Sequence, residues 1–263
     1  MSIPAGISET QSYPSQLFAL IGRSAWQLTR SPTGPHRAEA ARRLRWQATW
    51  LIGIGAILVV TLMFVFDATE ISLMPPRRAP SVWPARVITD FGKDSYVLSV
   101  LAAALIVMGL AFPLLHGAAR SRLLRFAGRV EYLFFAVALA VAFSEIIKYV
   151  VGRGRPFVGG KANPFNFLPF HGAEPYLSFP SSHSVTAFAL ALGIAAIWPR
   201  LRIPAFIYAV AIAGSRLVML AHHPSDVVGG AVVGLLGALA VRHWFAAREF
   251  GFAIDEKGEI VAR

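Results

Sequence analysis

Long runs of apolar residues dominate this chain, and short polar segments separate them. A helix needs about 20 mainly apolar residues to cross the hydrocarbon core of a bilayer. Runs that approach this length cover residues 49–66, 96–115, 132–151, 184–198, 204–221 and 227–244. Lipid cannot satisfy the polar groups of an open strand edge, so such runs are helices when they span a membrane. We therefore expect six transmembrane helices, of which the fourth is short.

The composition favours the same class of protein. Of the 263 residues, 56% are hydrophobic and only 15% are charged, and the mean hydropathy is +0.57. Soluble globular domains usually contain about a quarter charged residues. The chain has no cysteine, which excludes disulfides and thiolate metal sites. The predicted fold class is thus an all-α, polytopic membrane helix bundle.

The runs divide the chain into a membrane domain and two tails. We expect a cytoplasmic tail over residues 1–46, a six-helix membrane domain over 47–246 and a second cytoplasmic tail over 247–263. The first run follows a long tail and has the length of a span, so it does not resemble a cleavable signal peptide. Residues 16–27 mix apolar side chains with Arg23. This pattern is compatible with a helix on the membrane surface and equally with a poorly ordered tail.

The distribution of basic residues indicates the orientation. Placing the amino terminus inside leaves 16 of the 25 Lys and Arg residues on the cytoplasmic side. Cytoplasmic loops are rich in these residues, so both termini are predicted to be cytoplasmic. The bias also accounts for the net charge of +11. No run of five or six basic residues occurs, and we expect no nucleic-acid partner.

Three polar clusters cannot be explained by hydrophobic packing, and the assigned topology puts all three at the outer face. They are Lys148 with Arg155-Pro156, then Pro180-Ser181-Ser182-His183, then Ser215-Arg216 with His222 and Asp226. A charged side chain inside a span is costly unless a cavity or a counter-ion compensates it. Lys148 and Arg216 therefore need an anion or a cavity.

The chemistry of the clusters converges on phosphate. Lys148, Arg155 and Arg216 supply positive charge, and arginine binds phosphate oxygens in a bidentate way. Backbone N–H groups at Ser181 and Ser182, which precede a predicted helix, suit an anion as well.

The two histidines add the groups that a phosphoryl transfer needs. One can attack phosphorus while the other protonates the departing alkoxide. Asp226 follows His222 by four residues and can hold the ring tautomer. Pro224 disfavours helix at the preceding residue, so we expect His222 in a turn and Asp226 in the first turn of the next helix. His223 is the alternative nucleophile, but its spacing to Arg216 and Asp226 fits less well.

The order and spacing of the clusters resemble the three-part signature of the type 2 phosphatidic acid phosphatase family. The resemblance implies a metal-independent membrane lipid phosphatase without a cofactor, in which His222 forms a phosphohistidine. It further implies that Asp226 orients His222, that His183 is the general acid, and that the phosphate is bound by Lys148, Arg155, Ser181, Ser182 and Arg216. One position departs from the signature, because Ser182 stands where the family usually has glycine. A hydroxyl is thereby placed where the backbone approaches phosphate.

Several alternatives stay open at this point. The signature also resembles that of vanadium haloperoxidases, but those proteins are soluble. A lipid phosphotransferase would use the same intermediate, and a non-catalytic lipid-binding or transport protein could retain the anion site. Phosphatidic acid, phosphatidylglycerol phosphate, polyprenyl pyrophosphate and a lipid A phosphate are all candidate substrates.

Three secondary features also carry predictions. Glu145 is three residues before Lys148, which allows an ion pair on one helix face. For Arg153 we favour a solvated loop charge over an auxiliary role in phosphate binding. Gly230 and Gly234 form a GxxxG pattern, for which we favour packing inside the bundle over homodimerisation.

Overall fold

The computed structural model is a bundle of helices with a small hairpin at its carboxyl end. It describes residues 11–32, 34–76, 79–156, 158–159, 163–255 and 259–262, with only the backbone for 34–36. Across these residues the α-helices are α1 Tyr13–Thr29, α2 Gly34–Val65, α3 Asp67–Leu73, α4 Trp83–Asp90, α5 Asp94–Ala111, α6 Gly117–Val151, α7 Ser182–Ile197, α8 Arg202–Val218 and α9 Pro224–Ala247. The strands are β1 Phe252–Ile254 and β2 Ile260–Ala262.

Five helical segments are long and apolar enough to cross a membrane. They are Arg37–Val65, Pro80–Leu114, Gly117–Val151, Pro199–Val218 and Pro224–Ala247, and they coincide with the predicted runs other than the fourth. The fourth run forms α7, which has 16 residues and is therefore about 24 Å long. The hydrocarbon core is about 30 Å thick. The protein is thus an integral membrane helix bundle, and a sixth span stays a prediction.

The helices alternate in direction, so the bundle has two distinct ends. At one end α2, α6 and α8 finish while α7 and α9 begin, and this end carries the three sequence clusters; we call it the motif end. The other end, where α2 begins and α9 finishes, carries α1 and the hairpin; we call it the tail end.

Gly152 allows the chain to turn sharply at the motif end. It caps α6 in the left-handed region, with φ 57° and ψ 43°. A Cβ at this position would also collide with the Leu168 carbonyl group and lie 2.7 Å from Pro169 Cα. The Leu168 N–H donates to the Gly152 carbonyl at 2.7 Å. Only glycine combines the positive φ with this close approach, and the turn directs the next residue, Arg153, into the bundle.

The glycines of α9 serve helix packing inside the bundle, as predicted. A Cβ on Gly230 would lie 2.6 Å from the Ser181 carbonyl oxygen, and one on Gly234 would collide with the carbonyl oxygen of Val185. Small residues at this spacing let two helix backbones approach closely. Helices α7 and α9 are therefore in direct backbone contact, which brings the second and third sequence clusters together.

The amino-terminal segment forms a helix, α1, which covers the segment 16–27 for which helix and disorder were both open. Its side chains Phe18, Ile21 and Trp26 are exposed. The helix is attached to the bundle by the Tyr13 hydroxyl, which donates to the Leu110 carbonyl at 2.8 Å.

The hairpin is a departure from the all-α expectation. Strands β1 and β2 pair antiparallel, and Phe252 packs edge-on against Tyr132 with ring centroids 4.8 Å apart. Three-residue strands are too short to produce a recognisable alternation in sequence. Several basic residues used for the orientation, together with the first ten residues of the tail, lie outside the described residues: Arg77, Arg78, Lys161, Lys257 and Arg263.

Candidate active site

The motif end brings both predicted catalytic histidines into one electrostatic environment. His222 lies in the bend between α8 and α9, and His183 lies in the first turn of α7. Arg216 and Arg155 act electrostatically on both rings. The three sequence clusters therefore converge in space.

His222 is buried and has a defined tautomer. Its Nδ1 lies 2.8 Å from the carbonyl oxygen of Ser178, and the side chain is 4% exposed. A carbonyl oxygen only accepts hydrogen bonds, so Nδ1 carries the proton and Nε2 carries the lone pair. Burial, followed by the charges of Arg216 and Arg155, holds the pKa of His222 well below its usual value. A neutral ring whose Nε2 lone pair is free has the chemistry that a nucleophile needs.

Asp226 has the predicted place in the first turn of α9, yet it does not bond directly to His222. Its Oδ2 is 3.9 Å from His222 Nδ1, which is longer than a hydrogen bond. Oδ2 instead accepts from the Ser178 hydroxyl at 2.6 Å and from the His223 N–H at 2.9 Å. Ser178 thus links the carboxylate to the histidine, through a hydroxyl on one side and a carbonyl on the other.

Arg153 contradicts the prediction of a solvated loop charge. It is 1% exposed, and its Nη1 lies 2.6 Å from Asp226 Oδ1 and 2.5 Å from Ser225 Oγ. Its Nη2 lies 2.7 Å from Asp67 Oδ2. The Pro164 carbonyl accepts from Nε at 3.0 Å and from Nη2 at 2.8 Å. Burial of an unpaired charge is strongly unfavourable. Arg153 is instead paired with two buried carboxylates, so it is an internal charge and not a solvated one.

Two carboxylates on α3 belong to the site and were missed. Asp67 and Glu70 are both fully buried, and Asp67 accepts from the N–H of Ser225 at 3.0 Å as well as from its hydroxyl. Burial, followed by the charges of Asp67 and Asp226, raises the pKa of Glu70 to about 7. The sequence did carry a signal, because two acids directly follow an apolar run and buried acids require partners.

The three predicted phosphate-binding cations are each held by a neighbouring side chain. Lys148 Nζ lies 2.6 Å from Glu145 Oε1, as the spacing predicted, and it also donates to the Ser182 hydroxyl. A second pair joins Arg155 Nη2 to Glu174 Oε1 at 2.7 Å. The side chains of Glu145 and Glu174 are 52% and 74% exposed. Both ion pairs therefore lie where the site opens to solvent.

The segment before α5 takes part in the candidate site, and no motif in the sequence had indicated a role for it. The Nη1 group of Arg216 donates a hydrogen bond to the Thr89 hydroxyl at 2.8 Å. Gly92 packs beside the His183 ring, with a built Cβ 3.4 Å from Cδ2. The adjacent Lys93 acts electrostatically on that ring. The turn between α4 and α5 therefore covers the second histidine.

Ser181 differs in part from the expected anion-binding role. It precedes α7 as the N-cap, as predicted, but its N–H donates to the Asp226 carbonyl at 3.0 Å. That N–H is therefore engaged within the protein. The hydroxyl of Ser181 is buried and has no hydrogen-bond partner among the described residues, so it is the group that a phosphate oxygen can engage. Within the residues that the structure describes, no group of three or more His, Cys, Asp or Glu is arranged to hold a metal ion.

Comparisons with known proteins match this arrangement. The sequence model described as "PAP2 superfamily" matches residues 129–250. A lipid A 1-phosphatase of Rhizobium johnstonii is 33% identical over 222 residues, which cover 84% of this chain and 89% of the relative. The chain belongs to the PAP2 superfamily. The predicted resemblance is thus confirmed, and the chain is an enzyme of the lipid phosphatase class.

Other PAP2 relatives agree. A lipid A 1-phosphatase of Rhizobium etli is 33% identical over 73% of this chain and 81% of the relative. A putative undecaprenyl-diphosphatase of Escherichia coli is 34% identical over 42% of this chain and 56% of the relative. The crystal structure of a transmembrane PAP2-type phosphatidylglycerolphosphate phosphatase from Bacillus subtilis superimposes with a TM-score of 0.54 at 21% identity, covering 75% of this chain and 94% of that one. This last likeness supports the PAP2 membrane fold. Asp67 and Glu70 lie outside the matched residues 129–250.

Proposed function

We propose that this PAP2 enzyme hydrolyses a lipid phosphate monoester or pyrophosphate at the outer membrane face through a phosphohistidine on His222. The observation that carries the proposal is the bond between His222 Nδ1 and the Ser178 carbonyl, at 2.8 Å. It leaves Nε2 as the nucleophilic nitrogen. Attack by Nε2 forms the N–P bond and breaks the bond from phosphorus to the lipid oxygen. The ring then carries a positive charge, which the Asp226 carboxylate stabilises.

His183 is the general acid in this scheme. The anionic phosphate offsets the positive charges around His183, so the ring takes up a proton when substrate binds. It donates this proton to the departing lipid oxygen and afterwards takes one from the water that attacks the intermediate. Its Nε2 is buried and has no hydrogen-bond partner among the described residues, so this nitrogen is available to bond with the substrate. Water adds to phosphorus, the N–P bond breaks, and His222 is regenerated with release of inorganic phosphate.

The negative charge of the substrate is balanced by side chains rather than by a metal ion. Lys148, Arg155 and Arg216 bind the phosphate oxygens, with the hydroxyls of Ser181 and Ser182. The exposed carboxylates of Glu145 and Glu174, which now pair with Lys148 and Arg155, are displaced by the phosphate. A phosphate carries more charge and more acceptor oxygens than a carboxylate, so this exchange is favourable.

Among lipid phosphates, we propose the 1-phosphate of lipid A as the first substrate to test. Two relatives that this chain covers over most of their length are lipid A 1-phosphatases. The assay uses the purified full-length protein with lipid A, undecaprenyl diphosphate, phosphatidylglycerol phosphate and phosphatidic acid, with and without chelator. We expect stoichiometric inorganic phosphate from lipid A, unaffected by chelator and abolished by His222→Ala.

Each part of the proposal has its own contrary result. Activity that survives His222→Ala overturns the nucleophile, and activity lost to chelator overturns the metal-free scheme. A newly phosphorylated acceptor lipid in place of free phosphate identifies a phosphotransferase. Reporter fusions within residues 157–179 test the sidedness, because a cytoplasmic position for that loop would invert it.

A further inference from the structure

A cavity lies at the tail end of the bundle, and its lining contains none of the proposed catalytic residues. Its volume is about 480 Å³, and it is bounded by the end of α1, the start of α2 and the end of α9. Its polar lining includes Thr29, Ser31, Arg37, His243 and Arg248.

Distance separates this cavity from the candidate active site. Asp226 lies in the first turn of α9, and Arg248 is the C-cap of the same helix. A rise of about 1.5 Å per residue puts these positions about 33 Å apart. The cavity therefore cannot form part of the phosphate site at the motif end.

The walls of the cavity are tied together by specific hydrogen bonds. The indole N–H of Trp244 donates to the Leu28 carbonyl at 3.1 Å. A guanidinium N–H of Arg30 donates to the Arg248 carbonyl, which lies just past the last turn of α9. Helix ends carry carbonyl groups without intrahelical partners, and here α1 supplies one donor. The end of α1 is thus fixed against the end of α9.

The charges that surround the cavity are of one sign. Burial, followed by the charges of Arg30 and Arg37, holds the pKa of Arg248 below its usual value. The guanidinium groups of Arg30 and Arg37 are therefore close enough to act on that of Arg248. Glu39, on the adjacent turn of α2, is engaged elsewhere, with Arg42 at 2.9 Å and Arg43 at 2.6 Å.

Aromatic rings mark the level of this cavity in the membrane. The Arg248 guanidinium lies over the Trp244 ring at 4.9 Å, and that of Arg30 lies over the Trp26 ring at 5.4 Å. Tryptophan collects at the boundary between hydrocarbon and water. The cavity therefore lies at the depth of lipid headgroups.

We propose that the tail-end cavity binds the phosphate of an anionic phospholipid from the adjacent leaflet. Guanidinium groups bind phosphate oxygens in a bidentate way, and a bound anion offsets the repulsion of Arg248 by Arg30 and Arg37. The apolar wall of Ala40, Ala41 and Leu44 suits the glycerol and upper acyl chain of such a lipid. This combination of a cationic and an apolar wall favours a lipid over free phosphate.

The test measures lipid binding to the purified full-length protein in nanodiscs. Native mass spectrometry compares phosphatidylglycerol with phosphatidylcholine, and inorganic phosphate is added in a separate arm. We expect about tenfold preference for phosphatidylglycerol, because basic residues near a membrane attract anionic lipid. The preference falls below about threefold in the double variant Arg37→Gln/Arg248→Gln.

Three controls assign the binding to this cavity. Arg200→Gln, an exposed position at the same end outside the cavity, keeps the preference, and so does Arg216→Gln at the motif end. Arg37 is exposed, so the single variant Arg37→Gln is expected to fold even if the double variant does not. It should reduce the preference for phosphatidylglycerol. Equal binding of the two lipids overturns the proposal, as does displacement of lipid by inorganic phosphate. A preference that survives Arg37→Gln and is lost in Arg216→Gln also overturns it, because the lipid is then bound at the active site.

Discussion

The contribution of Asp226 to catalysis can be predicted from its position. The substitution Asp226→Asn keeps the size of the side chain and removes its charge. Asp226 Oδ2 lies 3.9 Å from His222 Nδ1, and two unit charges about 4 Å apart interact by about 4 kcal/mol at an effective dielectric constant of about 20. In the proposed mechanism, that charge stabilises the phosphorylated, positively charged ring more than the neutral one.

The expected loss in kcat is between about 100-fold and 1,000-fold. Each tenfold change in rate corresponds to about 1.4 kcal/mol, so the full interaction is worth nearly three orders of magnitude. Arg153, at 2.6 Å from the other carboxylate oxygen, offsets part of the charge, and Asp67 partly restores it. KM changes by less than about threefold, because Asp226 does not touch the phosphate-binding cations.

Steady-state phosphate release from lipid A by purified protein measures this effect, with thermal unfolding as the check on folding. Glu39→Gln is the matched control, because it removes a paired carboxylate at the tail end. We expect this control to keep kcat within about twofold of the parent protein. A loss of less than about tenfold in a folded Asp226→Asn protein, or an effect confined to KM, would refute the electrostatic role of Asp226.

Three further outcomes follow from particular contacts. Thr89→Val removes the hydrogen bond that Arg216 donates to the Thr89 hydroxyl, and such a bond to a charged group contributes about 1.5–3 kcal/mol. We therefore expect KM to rise about tenfold while kcat stays within about threefold in the same assay, and an unchanged KM contradicts this. The raised pKa of Glu70, about 7, means that folding favours its neutral form, so its stabilising effect is present below about pH 4.5 and is lost as the pH rises through about 7. Thermal unfolding of Glu70→Gln should therefore show a rise in Tm at pH 8.5 and little change at pH 4, and the reverse order contradicts the assignment. Gly234→Ala places a Cβ against the Val185 carbonyl and lowers stability by about 1–3 kcal/mol, seen as a lower Tm; an unchanged Tm would show that α7 and α9 can separate freely.

Much of the candidate site could be read from local sequence. Pro224 disfavours helix at the preceding residue. The turn at His222 and the place of Asp226 in the first turn of α9 were therefore predictable. Lys148 and Glu145 are three residues apart on one helix, so their ion pair follows from helix geometry. Both features depend on residues within a few positions of each other.

The partners of Arg153 and Ser178 could not be predicted in this way. Arg153 bonds to Asp67 and Asp226, which are 86 and 73 positions away along the chain. Nothing in the loop sequence around Arg153 distinguishes a buried guanidinium from a solvated one. Its burial depends on where α3 and α9 place their carboxylates.

The sequence by itself determined the membrane class, most of the spans and the family, because apolar length and motif spacing are local properties. The tertiary structure decided how Asp226 reaches His222. Its carboxylate stands 3.9 Å from Nδ1, and the Ser178 hydroxyl and carbonyl connect the two groups. Close contact between α7 and α9, through Gly230 and Gly234, places the segment before α7, which carries Ser178, against the start of α9. A spacing of four residues brings His222 and Asp226 to the same region, but the packing of α7 against α9 determines that Ser178 connects them.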